Sequence, residues 1–184
     1  IVAFLGAPFL IWSTIIKQKT VNIAAEALFN EKINVAANSL AARHQVSERT
    51  TDTDGQTAIL IEWKDDIVTR AAAIDRLEGL VLEQPGAAPR IANLLSIYVR
   101  QLSEEYPAQD APKDPDILAD WARGLRPIRA DMEKAAQTLG RLKTLPKVEV
   151  ARIRIDLRGA NLQGFDLHGL TFDRALLSGA WMQG

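Results

Sequence analysis

Apolar and polar positions change their spacing along this chain, and each change predicts a different element. Residues 1–16, IVAFLGAPFLIWSTII, carry no charge. Over residues 18–47 the apolar positions Val21, Ala25, Leu28, Phe29, Ile33, Ala36 and Leu40 fall at helical spacing, and the last four form a narrow stripe suited to a partner helix. TTDTDG, Thr50 to Gly55, predicts a turn or loop, and Ala58–Trp63 is a short apolar stretch whose form the pattern leaves open. Helical spacing then returns with Ile67, Ala71, Ile74, Leu77 and Val81, with Asp65 or Asp66 as the cap and Pro85-Gly86 as the stop. Pro89 opens a helix with Ile91, Leu95, Tyr98 and Leu102 on one face. The linker Glu104–Asp116 follows, then a helix from Asp114-Pro115 with Ile117, Leu118 and Trp121, closed near Gly124. A fourth begins at Pro127, with Ile128, Met132, Ala135, Leu139 and Leu142. Short helices joined by proline-containing turns predict helical pairs. Lys147–Arg154 alternates, which predicts a strand.

From Ile155 the period becomes five: IDLRG, ANLQG, FDLHG, LTFDR, ALLSG, AWMQG. The first place holds Ile155, Ala160, Phe165, Leu170, Ala175 and Ala180; the third holds Leu157, Leu162, Leu167, Phe172, Leu177 and Met182. A helix of 3.6 residues per turn would scatter this pattern, and a strand needs a period of two. A short fixed period predicts a stacked solenoid whose core is those twelve residues. Each buried side chain contributes roughly 1.5–3 kcal/mol, against roughly 1–2 kcal/mol for ordering each residue. Thirty residues of repeat therefore do not stand alone, and the chain reads as a piece of a longer protein with further coils.

These blocks resemble the pentapeptide-repeat family, whose pattern is roughly A-[DN]-L-x-x. ANLQG fits throughout; IDLRG and FDLHG keep Asp156 and Asp166; LTFDR, ALLSG and AWMQG depart at Thr171, Leu176 and Trp181. The resemblance implies a right-handed, four-sided β-helix with one block per side. RAAAIDRLEGL (70–80), LLSIYVRQLS (94–103) and RADMEKAAQTLGRL (129–142) resemble the helical segments of bacterial membrane-associated members of that family, a group that brings an architecture and no reaction. The expected fold is α+β: a membrane helix at 1–17, a cytoplasmic helix and loop at 18–63, helical pairs at 64–146, and strand plus right-handed quadrilateral β-helix at 147–184.

The membrane expectation rests on the opening run. Sixteen helical residues span about 24 Å of a roughly 30 Å hydrocarbon core, so a few upstream residues would complete a span. Trp12 suits the interface, and Lys17 and Lys19 favour the cytoplasmic side. A secretory signal would place its basic residues first and a small-x-small site after; a buried helix is the other alternative. The expected location is a bacterial inner membrane, crossed once or twice, with lipid contacts through this helix.

Composition narrows the chemistry. Apolar residues make up 47% and charged residues 24%, which suits a chain with a core; zero Cys excludes disulfides and thiolate metal sites. A net charge of −1 provides no basic field for nucleic acid. Some soluble pentapeptide-repeat proteins imitate DNA through an acidic surface, but here Asp156, Asp166 and Asp173 are nearly cancelled by Arg158 and Arg174. His44 and His168 read as solvated. Asp65-Asp66 and the acids near Asp114 read as caps and linker. No phosphate-binding loop, dinucleotide fingerprint or nucleophile elbow is present. The expectation is thus no catalytic, cofactor or metal residue and no cofactor. The expected function is a membrane-tethered, non-enzymatic scaffold that binds a protein partner through its solenoid. A regulatory or helper domain of a membrane transport or signalling system, with residues 20–47 in a coiled coil, is the alternative; self-association and an enzyme with its catalytic part elsewhere stay open.

Overall fold

The computed structural model describes residues 6–51 and 57–184, with side chains from 17 to 50 and from 57 to 184. The chain divides into two compact units, Ile1–Val35 and Ala36–Gly184. Helix α1 spans Gly6–Ser39. Val21 and Leu28, apolar positions outside the narrow stripe, are exposed, whereas Ala36 and, just past the helix end, Leu40 are buried. Among the described residues no helix is long and apolar enough to cross a membrane. That corrects the expected membrane helix at 1–17 and with it the inner-membrane location; residues 1–5 of that expectation lie outside the described residues. The physical reason is that α1 runs directly into polar sequence: Lys17, Gln18 and Lys19 are followed by Asn22, Glu26 and Asn30, so the helix is long but its apolar stretch is not.

Within the second unit α1 ends earlier than its periodicity predicts. Leu40, Ala41 and Ala42 donate back to Ala37, Asn38 and Ser39 at 3.1 Å, the tighter bonding that closes a helix. Strand β1, Arg43–Thr51, then pairs antiparallel with β2, Thr57–Asp65, in a two-stranded sheet. The expected turn between them falls largely outside the described residues. Ala58–Trp63, rich in β-branched and aromatic residues, decides this hairpin, since β1 alone has no strand pattern.

Helix α2 is Ile67–Glu83, and Asp66 rather than Asp65 caps it, accepting from the Thr69 amide at 3.0 Å and the Thr69 hydroxyl at 2.8 Å. A 3₁₀ turn at Pro85–Ala87 leads into α3, Ala88–Glu105, with Pro89 in its first turn. Helix α4, Pro115–Gly124, is capped by Asp114 and buries no residue; Ile117 and Leu118 stay exposed. Helix α5, Ala130–Leu142, packs on both α2 and α3. The core is their shared interior: Ile74, Leu77, Val81, Ile91, Leu95, Val99, Met132, Leu139 and Leu142. The sequential helices α2 and α3 touch each other, and both pack more extensively on α5. Glu78 on α2 ties them further, accepting from Arg141 at 2.8 and 2.7 Å and from Thr138 at 3.1 Å.

The tail corrects two expectations. Residues 147–154 form no strand; a 3₁₀ turn occupies Val150–Arg152. The right-handed quadrilateral β-helix is also not formed: the tail has no strands and no solenoid, only two isolated parallel bridges, Asp156 to Leu176 and Asn161 to Trp181. The reason is local. Gly159, Gly164, Gly169 and Gly179, with Arg174 in place of a glycine, sit at φ between +56° and +72° and bend the chain every fifth residue, which leaves no run long enough to pair as a strand. Residues 175–184 do lie over 155–164, through amide bonds such as Leu157 to Leu176 O (2.9 Å) and Trp181 to Ala160 O (2.9 Å). The described architecture is thus helix-rich, five α-helices with one small antiparallel sheet.

Helix α3 covers the start of this tail, and α5 meets its middle at Asp166, Leu170, Thr171 and Phe172. Two buried serines seven residues apart on α3 supply the acceptors: Ser96 takes the Asp156 amide at 3.3 Å and Ser103 takes the Asn161 amide at 2.9 Å. Those same serines donate to carbonyls one helical turn back, Ala92 and Val99, both at 2.7 Å. A buried amide without a partner is costly, so this pair of serines is what lets a helix meet a bent chain edge.

Candidate functional site

The twelve residues expected as the repeat core are graded by depth. Ile155, Leu157, Ala160, Leu162 and Phe165 are buried; Leu167, Leu170, Phe172, Ala175, Leu177 and Ala180 are half-buried; Met182 is exposed. They pack, and nothing about them presents chemistry. His44 on β1 and His168 in the tail are exposed and far apart in sequence, and among the described residues no group of acids and histidines could hold a metal ion.

The unusual surface is the hairpin. Ile59, Leu60, Ile61 and Trp63 of β2 are 65%, 56%, 56% and 62% exposed. Ile59, Ile61 and Trp63 share one face because side chains alternate along a strand. Opposite them on β1 stand Arg49, Ser47 and Gln45, so this apolar row finds no apolar neighbour within its own sheet. Scattered exposed apolar residues are ordinary; four within five consecutive residues on an edge strand are not. The two edges also differ. β1 carries Arg43, Glu48 and Arg49, charges that discourage strand addition, whereas β2 has none from Thr57 through Ile61.

At its base the hairpin is fixed by a buried polar network. The Asp66 amide donates to Ala42 O at 3.0 Å and closes the two strand ends. The Asp65 carboxylate accepts from Arg70 (2.6 Å), Arg129 (2.5 Å) and Arg43 (3.3 Å). Arg129 grips Asp131 with two bonds, 2.9 and 2.6 Å, and lies 4.9 Å from the centre of the Tyr106 ring, a cation–π distance. Asp131, fully buried, also accepts from the Tyr98 hydroxyl at 2.6 Å and the Met132 amide at 3.0 Å. Burial pushes both carboxyls up, but the arginine bonds and charges outweigh it and hold Asp65 and Asp131 below the usual carboxylate range. Burial, and then the bond to anionic Asp131, raises the Tyr98 phenol. Asp65 and Asp131 are thus held in their ionised form by the arginines of the network. Its effect is mechanical: it ties the strand ends to α2, α3 and α5.

Beside the network lies an open groove of ≈520 Å³ lined by Leu40, Ala41, Arg70, Leu94, Ile97 and Tyr98 among others. The polar ends of Arg70 and Tyr98 are already bonded within the network, so the groove is mainly apolar and shallow.

Sequence reasoning did not find the hairpin as a site. The signal was there, in the apolar run 58–63, but its exposure depends on nothing packing over it. The network was not readable, because Asp65 and Arg129 are 64 residues apart. In comparisons with known proteins, the chain matches no family model, no curated protein and no solved structure.

Proposed function

We propose that this chain is a non-enzymatic protein-binding scaffold whose docking element is the hairpin 43–65, and that it receives an extended apolar segment of a protein along the open edge of β2. The observation that carries this reading is the row Ile59, Ile61 and Trp63, exposed on a strand whose own neighbour offers only Arg49, Ser47 and Gln45. Strand addition supplies main-chain hydrogen bonds for affinity and side-chain pairing for specificity. A lone two-stranded hairpin is marginal in water, and a third strand on an apolar face stabilises it. The polar network supports the reading, since it presents the hairpin from a fixed base and so lowers the ordering cost of docking. Neither a membrane tether nor a solenoid surface enters this reading.

The test is site-specific photocrosslinking in the source cell. A photoreactive residue at Ile61 or Trp63 is expected to give a discrete protein adduct. The same residue at Val68 or Leu82, exposed apolar positions on α2, is expected to give none. Equal labelling from all four positions removes the hairpin as the docking element.

A further inference from the structure

We infer that helix α4 and the groove beside it form a second docking surface, separate from the hairpin, whose occupant is a cationic amphipathic helix of a partner protein. Helix α4 is 10 residues long and capped by Asp114, yet none of its side chains is buried. Isolated helices under about 12–15 residues are marginal in water, and helices in proteins are stabilised mainly by packing an amphipathic face. α4 has such a face. Ile117 and Trp121 lie one turn apart with Leu118 beside them, and Ile117 and Leu118 are exposed. Nor does the helix hang free. Gln109 before it exchanges two bonds with Gln163, at 2.8 and 2.9 Å, and Leu125 after it is buried. The chain thus holds α4 at both ends and leaves its apolar row uncovered.

Charge identifies the occupant. Residues 104–120 carry six acids, Glu104, Glu105, Asp110, Asp114, Asp116 and Asp120, against Lys113 alone, a net −5 in a chain whose total is −1. All six are exposed. Asp114 caps the helix and Asp120 pairs with Arg123, while the other four meet no cation among the described residues. Asp116 and Asp120 stand four apart, so they form an acidic row along α4 immediately beside the row of Ile117 and Trp121. An apolar row with an acidic border complements an apolar row with a basic border, and the same border repels acidic segments, nucleic acid and anionic lipid. The groove supplies an anchor point of ≈520 Å³, lined by Trp121, Leu125, Pro127 and Ile128 among others. Arg126, which also lines it, has its guanidinium on the carbonyls of Arg123 and Leu125. A helix laid along such a groove, with apolar anchors at successive turns, is a recurring mode of recognition.

The test titrates the full chain into a fluorescent model peptide of about 18 residues, leucine on one helical face and lysine on the other, and follows anisotropy. Saturable binding is expected, weakening about fivefold between about 0.05 and 0.3 M salt. Asp116→Asn combined with Asp120→Asn, and separately Ile117→Ser, are each expected to weaken it about tenfold with the chain's melting curve unchanged, since all three side chains are exposed. The same peptide with glutamate for lysine is expected not to bind, and a scrambled peptide of the original composition to bind about tenfold more weakly. Ile61→Ser on the hairpin is expected to change nothing, which keeps this result independent of the docking reading above. Equal binding of the scrambled peptide, full affinity in either α4 variant, or no binding at all overturns the inference. Loss with Ile61→Ser alone assigns the peptide to the hairpin, which overturns the α4 surface and leaves the hairpin reading standing.

Discussion

Replacing Asp131 with Asn tests whether the buried network holds the helices together. Asp131 accepts four hydrogen bonds: two from Arg129, one from the Tyr98 hydroxyl and one from the Met132 amide. Asparagine keeps one acceptor oxygen and turns the other side into a donor, which must face the donors of Arg129 or Tyr98. At least two charge-assisted bonds are lost, each contributing roughly 1.5–3 kcal/mol. Arg129, itself buried, keeps Asp65 and Tyr106 as partners and is not left as a bare charge. The expected loss is about 4 kcal/mol, in line with roughly 3–5 kcal/mol for breaking a buried ion pair, and large against a typical total of about 5–15 kcal/mol. Tyr98→Phe removes only one of the four bonds and should cost about 2 kcal/mol. Urea unfolding followed by circular dichroism gives both values, provided the slope with denaturant stays unchanged. If Asp131→Asn costs less than about 1 kcal/mol, or less than Tyr98→Phe, the network does not carry the packing assigned to it.

Three further outcomes follow from the same geometry. Asp65, Glu78, Asp131 and Asp156 all have carboxyls held below their ordinary values; for Asp156 the Arg158 bonds bring it to about 2. A depressed folded-state value means stability that is full above the unfolded value near 4 and lost as pH falls toward 2, so urea midpoints should drop through that window; a flat profile there contradicts the assignments. Ser103→Ala leaves the buried Asn161 amide without its acceptor and should cost about 1–3 kcal/mol, with faster hydrogen exchange at that amide as the specific sign. Gly164→Ala should destabilise clearly more than Gly159→Ala. Both sit near φ +70°, where a Cβ costs roughly 1–2 kcal/mol, but at Gly164 it would also lie 2.8 Å from the Arg126 backbone, whereas at Gly159 it meets nothing within 4 Å. Equal melting temperatures for the two variants would show that the 122–126 segment yields freely.

Much of the helical middle is legible from side-chain spacing alone. Asp66, Pro85, Pro89 and Asp114-Pro115 mark helix boundaries through local backbone chemistry, and Met132, Ala135, Leu139 and Leu142 recur on one face because 3.6 residues make a turn. The five-residue period likewise marks where the chain bends, because glycine tolerates the left-handed conformation that each bend needs. The same reading was overextended at both ends. An uncharged run suggested a membrane span, and a period suggested a solenoid, whereas what forms is a helix continuing into polar sequence and a bent tail pinned by two isolated bridges.

Local spacing determined where this chain coils, bends and stops, because those choices depend on neighbours a few residues away. Only the tertiary structure decided which apolar residues are left outside. Ile61 and Leu77 are equally suited to burial, yet Leu77 lies under α5 while Ile61 faces solvent. The joining of Asp65 to Arg129 and of Ser103 to Asn161 was also a matter of folding, since those partners meet only after the intervening chain has packed.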